Sequence, residues 1–215
     1  MEKFQFPKWA NYLKPALGVA ALIPLYVLFL LYYGGRPDTL AVGYMPEQPV
    51  EYSHMQHAGE LGMDCRYCHN TVDQAAHAAI PPTDTCMKCH ANIATDSTKL
   101  VEVRESFSTG MPIEWIRIHD LPDYVYFDHS RHVNSGISCV SCHGRVDKME
   151  VVYQTESLSM GWCIECHREP EKHLRPLDEV YNLDWSPEED QITIGKRIKE
   201  KYDINPSLEC STCHR

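Results

Sequence analysis

Apolar positions are spread unevenly along this chain. Residues 16–33 read ALGVAALIPLYVLFLLYY, an uncharged and almost wholly apolar run. At the helical rise it covers roughly 27 Å, close to the ~30 Å of bilayer hydrocarbon. Tyr12 and Tyr32 stand near its two ends, Tyr26 and Tyr33 are further interface residues, and Pro24 predicts a mid-span kink. Gly34, Gly35 and Pro37 end the helix. Lys3, Lys8 and Lys14 precede it against a single Glu2. This bias predicts a transmembrane helix over about residues 14–33, N-terminus in the cytoplasm, with the rest outside the inner membrane on the periplasmic side. A cleaved signal peptide is the alternative, but its apolar stretch is usually shorter and no small-x-small cleavage site follows.

Beyond residue 35 no comparable run occurs. Ile194, Ile198 and Tyr202 fall at helical spacing. The preceding SPEE at 186–189 reads as a capping box with proline at the first helical position. That helix should stop before the Asn-Pro pair at 205–206, with the run 196–201 as its wet face. Residues 91–126 are expected to be a linker, with a polar stretch at 95–99 and an apolar patch, IEWIRI, at 113–118. Residues 168–184 are charged, contain proline and predict a loop.

Composition changes the picture through one residue type. The chain has 215 residues, of which ten are cysteine and twelve histidine. Every cysteine falls in one pattern, C-x-x-C-H, and none is left over: Cys65, Cys68 and His69; Cys86, Cys89 and His90; Cys139, Cys142 and His143; Cys163, Cys166 and His167; Cys210, Cys213 and His214. This is the attachment signature of c-type haem. Two thiols reach the two vinyl groups of one porphyrin edge as thioethers, and the next residue swings an imidazole under the iron. Zinc would need the units in pairs, and five units do not pair. A disulfide framework would not set a histidine after every second cysteine. The sequence therefore predicts five covalently bound haem c groups, with the ten cysteines as tethers and His69, His90, His143, His167 and His214 as proximal ligands.

Five sites in the roughly 180 residues after the apolar run leave about 36 residues per porphyrin, too little for an ordinary side-chain core. The porphyrins themselves must serve as core. The fold class that follows is mainly α with long irregular loops and little sheet, short helices at the haem sites, and one N-terminal membrane helix. The formal net charge of −10 excludes nucleic acid as a partner.

The chain also repeats itself. YSHMQH at 52–57 precedes Cys65, and FDHSRH at 127–132 precedes Cys139, so residues 52–90 and 127–167 form two copies of a dihaem unit. The organisation is an anchor over 1–35, the two repeats within 36–168, and a C-terminal helix with the fifth site over 169–215. An aromatic-x-H-x-x-H ahead of C-x-x-C-H resembles the class III multihaem cytochromes c. That resemblance implies that His54, His57, His129 and His132 are distal ligands to different, closely packed haems, and i, i+3 spacing on one helix face suits this. For the fifth distal position the expectation is His119. Met160, His77 and His173 are further candidates; His77 also reads as a surface residue and His173 as a solvated loop residue.

Over residues 50–168 the chain further resembles the pentahaem cytochrome subunit of bacterial alternative complex III, a quinol:acceptor oxidoreductase. The matching segments are YSHMQHAG at 52–59, DCRYCHN at 64–70, IPP at 80–82, CMKCH at 86–90, EWIR at 114–117, LPDYVYF at 121–127, CHG at 142–144 and SMGWC at 159–163. His119 agrees with the family pattern, while the tail matches through its haem site alone. The resemblance implies an electron-transfer subunit without catalytic residues. Implied partners are an iron–sulfur subunit, polytopic quinol-binding membrane subunits, a monohaem cytochrome c and membrane lipid. Two other readings remain. One is a stand-alone quinol dehydrogenase feeding a periplasmic reductase, which the fifth site fits less well. The other is a catalytic multihaem reductase, against which the lack of C-x-x-C-K counts.

Overall fold

The computed structural model of the chain describes residues 7–36, 39 and 41–215. Glu2, Lys3 and Pro37, used above for orientation and helix termination, lie outside the described residues. Two compact units result, Met1–Ala41 and Val42–Arg215.

In the first unit helix α1 spans Ala10–Gly34, with Pro15 and Pro24 inside it and no residue buried. Its most apolar window has a mean hydropathy of 2.1. Twenty-five residues reach roughly 37 Å at the helical rise, long enough to cross a bilayer. The helix starts ahead of the apolar run because the turn Pro7–Ala10 already closes a hydrogen bond, Ala10 N to Pro7 O at 2.9 Å.

The second unit is built from short helices. They are α2 (Cys65–Cys68), α3 (Thr83–His90), α4 (Val101–Thr109), α5 (His129–Val133), α6 (Val140–His143), α7 (Met160–Arg168), α8 (Gln191–Lys201) and α9 (Cys210–Cys213). Met55–Glu60 forms a π-helical turn. Each C-x-x-C-H unit lies on or beside one of these helices. Among the described residues no strand forms; two isolated antiparallel bridges, Val125 with His214 and Ile137 with Leu174, are the extended pairings.

Two sequence expectations are corrected. Helix α8 begins at Gln191, not at the SPEE box. Asp190 caps it, its carboxylate accepting from Thr193 N at 3.0 Å and Thr193 Oγ1 at 3.1 Å. Glu189 is instead drawn into an ion pair with Arg197. The expected linker 91–126 also contains α4, which buries Val103 and Ser106 and ends at Gly110 in the left-handed region, φ 74°. Gly110 at a C′ position was the signal available for it.

The apolar core made by side chains alone is small. One cluster joins Val72, Val133 and Val180, and the other joins Leu174, Ile194 and Ile198 with Ile137, Trp185 and Ile204 around them. The second cluster depends on Gly195: a Cβ there would stand 1.9 Å from Glu171 O, so α8 can press onto the 170–172 turn only with glycine. The first cluster ties the repeats together, Val72 from one and Val133 from the other. Asn134 Nδ2 to Asp73 O at 2.9 Å and Ser130 N to Ala75 O at 3.2 Å add to that seam.

Candidate haem sites

The ten cysteines form no disulfide, and no cluster of three or more metal-binding side chains exists among the described residues.

The histidines arrange themselves in pairs. His54 faces His69 with ring centroids 6.4 Å apart and planes 2° from parallel. His129 faces His143 at 6.4 Å and 6°. His57 meets His90 at 6.2 Å and 66°, and His132 meets His167 at 6.1 Å and 43°. Two imidazoles bound to opposite sides of one metal, each through a bond of about 2 Å, place their centroids about 6.3 Å apart. Four pairs thus sit at the spacing of a six-coordinate iron with two histidine ligands. Each pair joins one H-x-x-H histidine to one C-x-x-C-H histidine.

Hydrogen bonds fix the tautomer at most of these rings. Nδ1 of His57, His69, His129, His132 and His167 lies 2.7–2.8 Å from a carbonyl oxygen: of Ser53, Ala79, Ala76, Asp128 and Ser207 respectively. His90 Nδ1 is 3.1 Å from Ile93 O, and His214 Nδ1 is 3.3 Å from Tyr124 O. A carbonyl only accepts, so Nδ1 carries the proton and Nε2 keeps its lone pair for a metal. Burial also disfavours the charged form of four imidazoles, His54, His119, His132 and His143. His143 is pushed down to about 3, by burial first and then by the imidazoles of His119 and His129. His54 is pushed down to about 4, by burial and then by His69 and His57.

One aromatic residue per repeat orients both distal rings. Tyr52 stands edge-on to His54 at 4.8 Å and 87°, and stacks on His57 at 4.5 Å and 22°. Phe127 repeats this with His129 at 4.8 Å and 87° and His132 at 4.5 Å and 30°. The duplicated sequence is thus duplicated geometry. The backbone differs, since the first copy carries His57 on a π turn and the second carries both histidines on α5.

The fifth site is built differently. His214 has Tyr124 as its ring contact, at 5.8 Å and 33°. His119 rests edge-on against His143 at 4.3 Å, with Nε2 buried and without a hydrogen-bond partner. His77 and His173 stay outside the ring pairs, and Met160, at the first position of α7, is 66% exposed. The carbonyls of Ala76, Ala79, Ser207 and Tyr124 were not foreseen from sequence, because a backbone acceptor has no sequence signature.

Comparison with known proteins finds cytochrome c families over most of the chain beyond the apolar helix. The model described as cytochrome c7 and related cytochrome c matches residues 125–215, and that of the class III cytochrome c family matches residues 36–110. These are multihaem cytochrome c domains. The first match takes in the sites at Cys139, Cys163 and Cys210, and the second those at Cys65 and Cys86. The chain is also similar to the menaquinone reductase multiheme cytochrome c subunit of Nitratidesulfovibrio vulgaris, strain Hildenborough. The two are 29% identical over 149 residues, 60% of this chain and 70% of the relative.

The donor set fits haem c. Cysteine pairs followed by histidine, imidazoles whose Nδ1 is turned to a carbonyl, and four rings opposed at one-metal spacing are what a tethered, low-spin haem would require.

Proposed function

We propose that this chain is a membrane-anchored pentahaem cytochrome c that carries electrons within a quinol:acceptor oxidoreductase of the alternative complex III type. The four histidine pairs at 6.1–6.4 Å carry the reading. They leave no position on those irons for a substrate. Haem c supplies one-electron iron chemistry, and the protein's part is to tether, ligate and space the groups.

In this reading the ten cysteines are the tethers. His54 with His69, His57 with His90, His129 with His143, and His132 with His167 are the axial pairs. His119, the fifth distal candidate from the sequence, lies against His143 instead of opposite His214, so the described rings form no histidine pair at the fifth site. Met160, His77 and His173 become unnecessary for the four paired irons.

The packing gives the path an order. His54 and His57 share one turn, as do His129 and His132, so each repeat holds two adjacent haems. The seam between repeats joins their inner sites, with Cys65 and Cys139 side by side across it. Cys68 lies near Cys86, Cys142 near Cys163 and Cys166, and Cys163 near Cys213. The path therefore runs from the site at Cys86 through those at Cys65, Cys139 and Cys163 to that at Cys210. Porphyrins bound along it would complete the small side-chain core.

The quinol link is supported by the similarity to a menaquinone reductase subunit. Helix α1 anchors the chain in the inner membrane, N-terminus cytoplasmic, with the haems on the periplasmic side. The partners proposed are an iron–sulfur subunit, polytopic quinol-binding subunits and a monohaem cytochrome c. Gentle detergent purification with mass spectrometry of partners and haem content tests this. A stable assembly with five haems on this chain is expected; a lone, quinol-active protein would replace the complex by a stand-alone dehydrogenase.

One observation favours a second reading. Tyr124, 62% exposed, is the ring beside His214. An iron there with one histidine ligand would bind small molecules, as a catalytic reductase needs. Carbon monoxide binding by one iron of the reduced protein would support that reading, and its absence supports the wire.

A further inference from the structure

A buried guanidinium with no carboxylate partner among the described residues stands on the segment paired with the one that leads into Cys139. Arg175 is only 8% exposed. Its backbone is fixed, with Arg175 N donating to Gly136 O at 3.0 Å next to the bridge between Ile137 and Leu174. That pairing leads directly into Ser138, whose hydroxyl donates to Val180 O at 2.6 Å, and then into Cys139. The guanidinium lies over the Trp185 ring, 4.9 Å from its centroid. One terminal nitrogen donates to Asn182 O at 2.9 Å and reaches Glu179 O at 3.5 Å. Nε is buried with no partner.

The other buried or bridged arginines differ. Arg66, Arg117, Arg145 and Arg197 each pair with a carboxylate. Arg175 forms no such pair among the described residues, and the carboxylate of Glu179 is engaged by Asn182.

We propose that Arg175 is a fixed positive charge that raises the reduction potential of the haem held by Cys139, Cys142 and His143. The inference rests on the haem reading above. Ferric haem carries one more positive charge than ferrous haem. A nearby cation, weakly screened because it is buried, disfavours the ferric form and holds the electron more tightly. The site is the third of five, so this charge would set the level of the middle step.

The test uses the five-haem protein and a potentiometric titration followed by optical and magnetic spectra. Arg175→Met keeps length and removes charge; Arg175→Lys keeps charge and removes the planar fork. In Arg175→Met one component should fall by at least tenfold in its reduction equilibrium, 59 mV for one electron. It should be the component that leaves the low-spin set in His129→Ala. Arg175→Lys should hold that component within threefold of the wild type. An unmoved component in Arg175→Met, or equal shifts in both variants, would overturn the proposal and leave Arg175 a packing role. If Arg175→Met does not accumulate with five haems, Arg175→Gln is read the same way. A wild-type protein without five haems would defeat the haem reading itself, a result distinct from five haems with an unmoved component.

Discussion

Gly59 offers the sharpest test of how the distal ligands are held. It lies two residues after His57 in the π turn Met55–Glu60. A Cβ at this position would stand 2.2 Å from Asp147 O and 3.3 Å from the Asp147 carbonyl carbon. The obstacle is backbone, so no side-chain rotation relieves it. Ordinary contact requires that the turn and the 146–148 segment part by about 1 Å, an overpacking cost of ~1–3 kcal/mol. The hydrogen bond Met55 N to Met149 O, 3.0 Å, closes the same seam and resists the separation. His57 sits 6.2 Å from His90. A metal–nitrogen bond of about 2 Å cannot absorb a stretch of that size. Gly59→Ala should therefore detach His57 and turn one iron in five high-spin, while all five haems stay covalently bound. Optical spectra in the high-spin charge-transfer region and carbon monoxide binding after reduction read this directly, and mass spectrometry gives the haem count. A Gly59→Ala protein with wholly low-spin spectra and wild-type thermal stability would refute the argument that this close approach positions the ligand.

Further outcomes follow from the same geometry. His129→Ala should make one iron high-spin without loss of covalent haem; an unchanged low-spin spectrum would remove His129 from the ligands. Phe127→Leu should alter the low-spin magnetic signals of two irons together, since one ring orients both His129 and His132; a change at neither would leave Phe127 as filler. Cys142→Ala should lose a thioether and destabilise the whole second unit, as read by thermal unfolding; normal folding with four haems would contradict the porphyrin core. Glu171 gives a pH test. Its own backbone N–H and then the Lys199 ammonium, 3.3 Å away, hold its carboxyl below the ordinary carboxylate value. The folded protein thus gives up this proton more readily than the unfolded chain. The stabilisation is present above the unfolded pKa and is lost as pH falls through the lowered folded one. Glu171→Gln should flatten the stability profile on that acid side, measured by denaturant unfolding at several pH values.

Much of this protein is legible one residue at a time. The C-x-x-C-H units declare themselves because attachment chemistry is local: two thiols and an imidazole must sit on a single turn. The H-x-x-H pairs are legible through the repeat, and the anchor through its length and lack of charge. Local competition already blurs the picture at α8, where Asp190 takes the cap that Ser186 was expected to hold. Which imidazole faces which could not be read from sequence. His129 is aimed at His143 by the Ala76 carbonyl, 53 residues away in the chain, and His167 is held by Ser207, 40 residues away. Such partners are backbone atoms brought together by the seam between repeats. The same holds for Arg175, an ordinary loop arginine in the sequence, which becomes a buried charge with no carboxylate partner among the described residues only when Leu174 and Ile137 bridge. Chemistry carried within a turn is written in the sequence. Chemistry that depends on two distant turns meeting at a set distance was decided by the tertiary structure, because the spacing of opposed groups is a property of packing and not of any one segment.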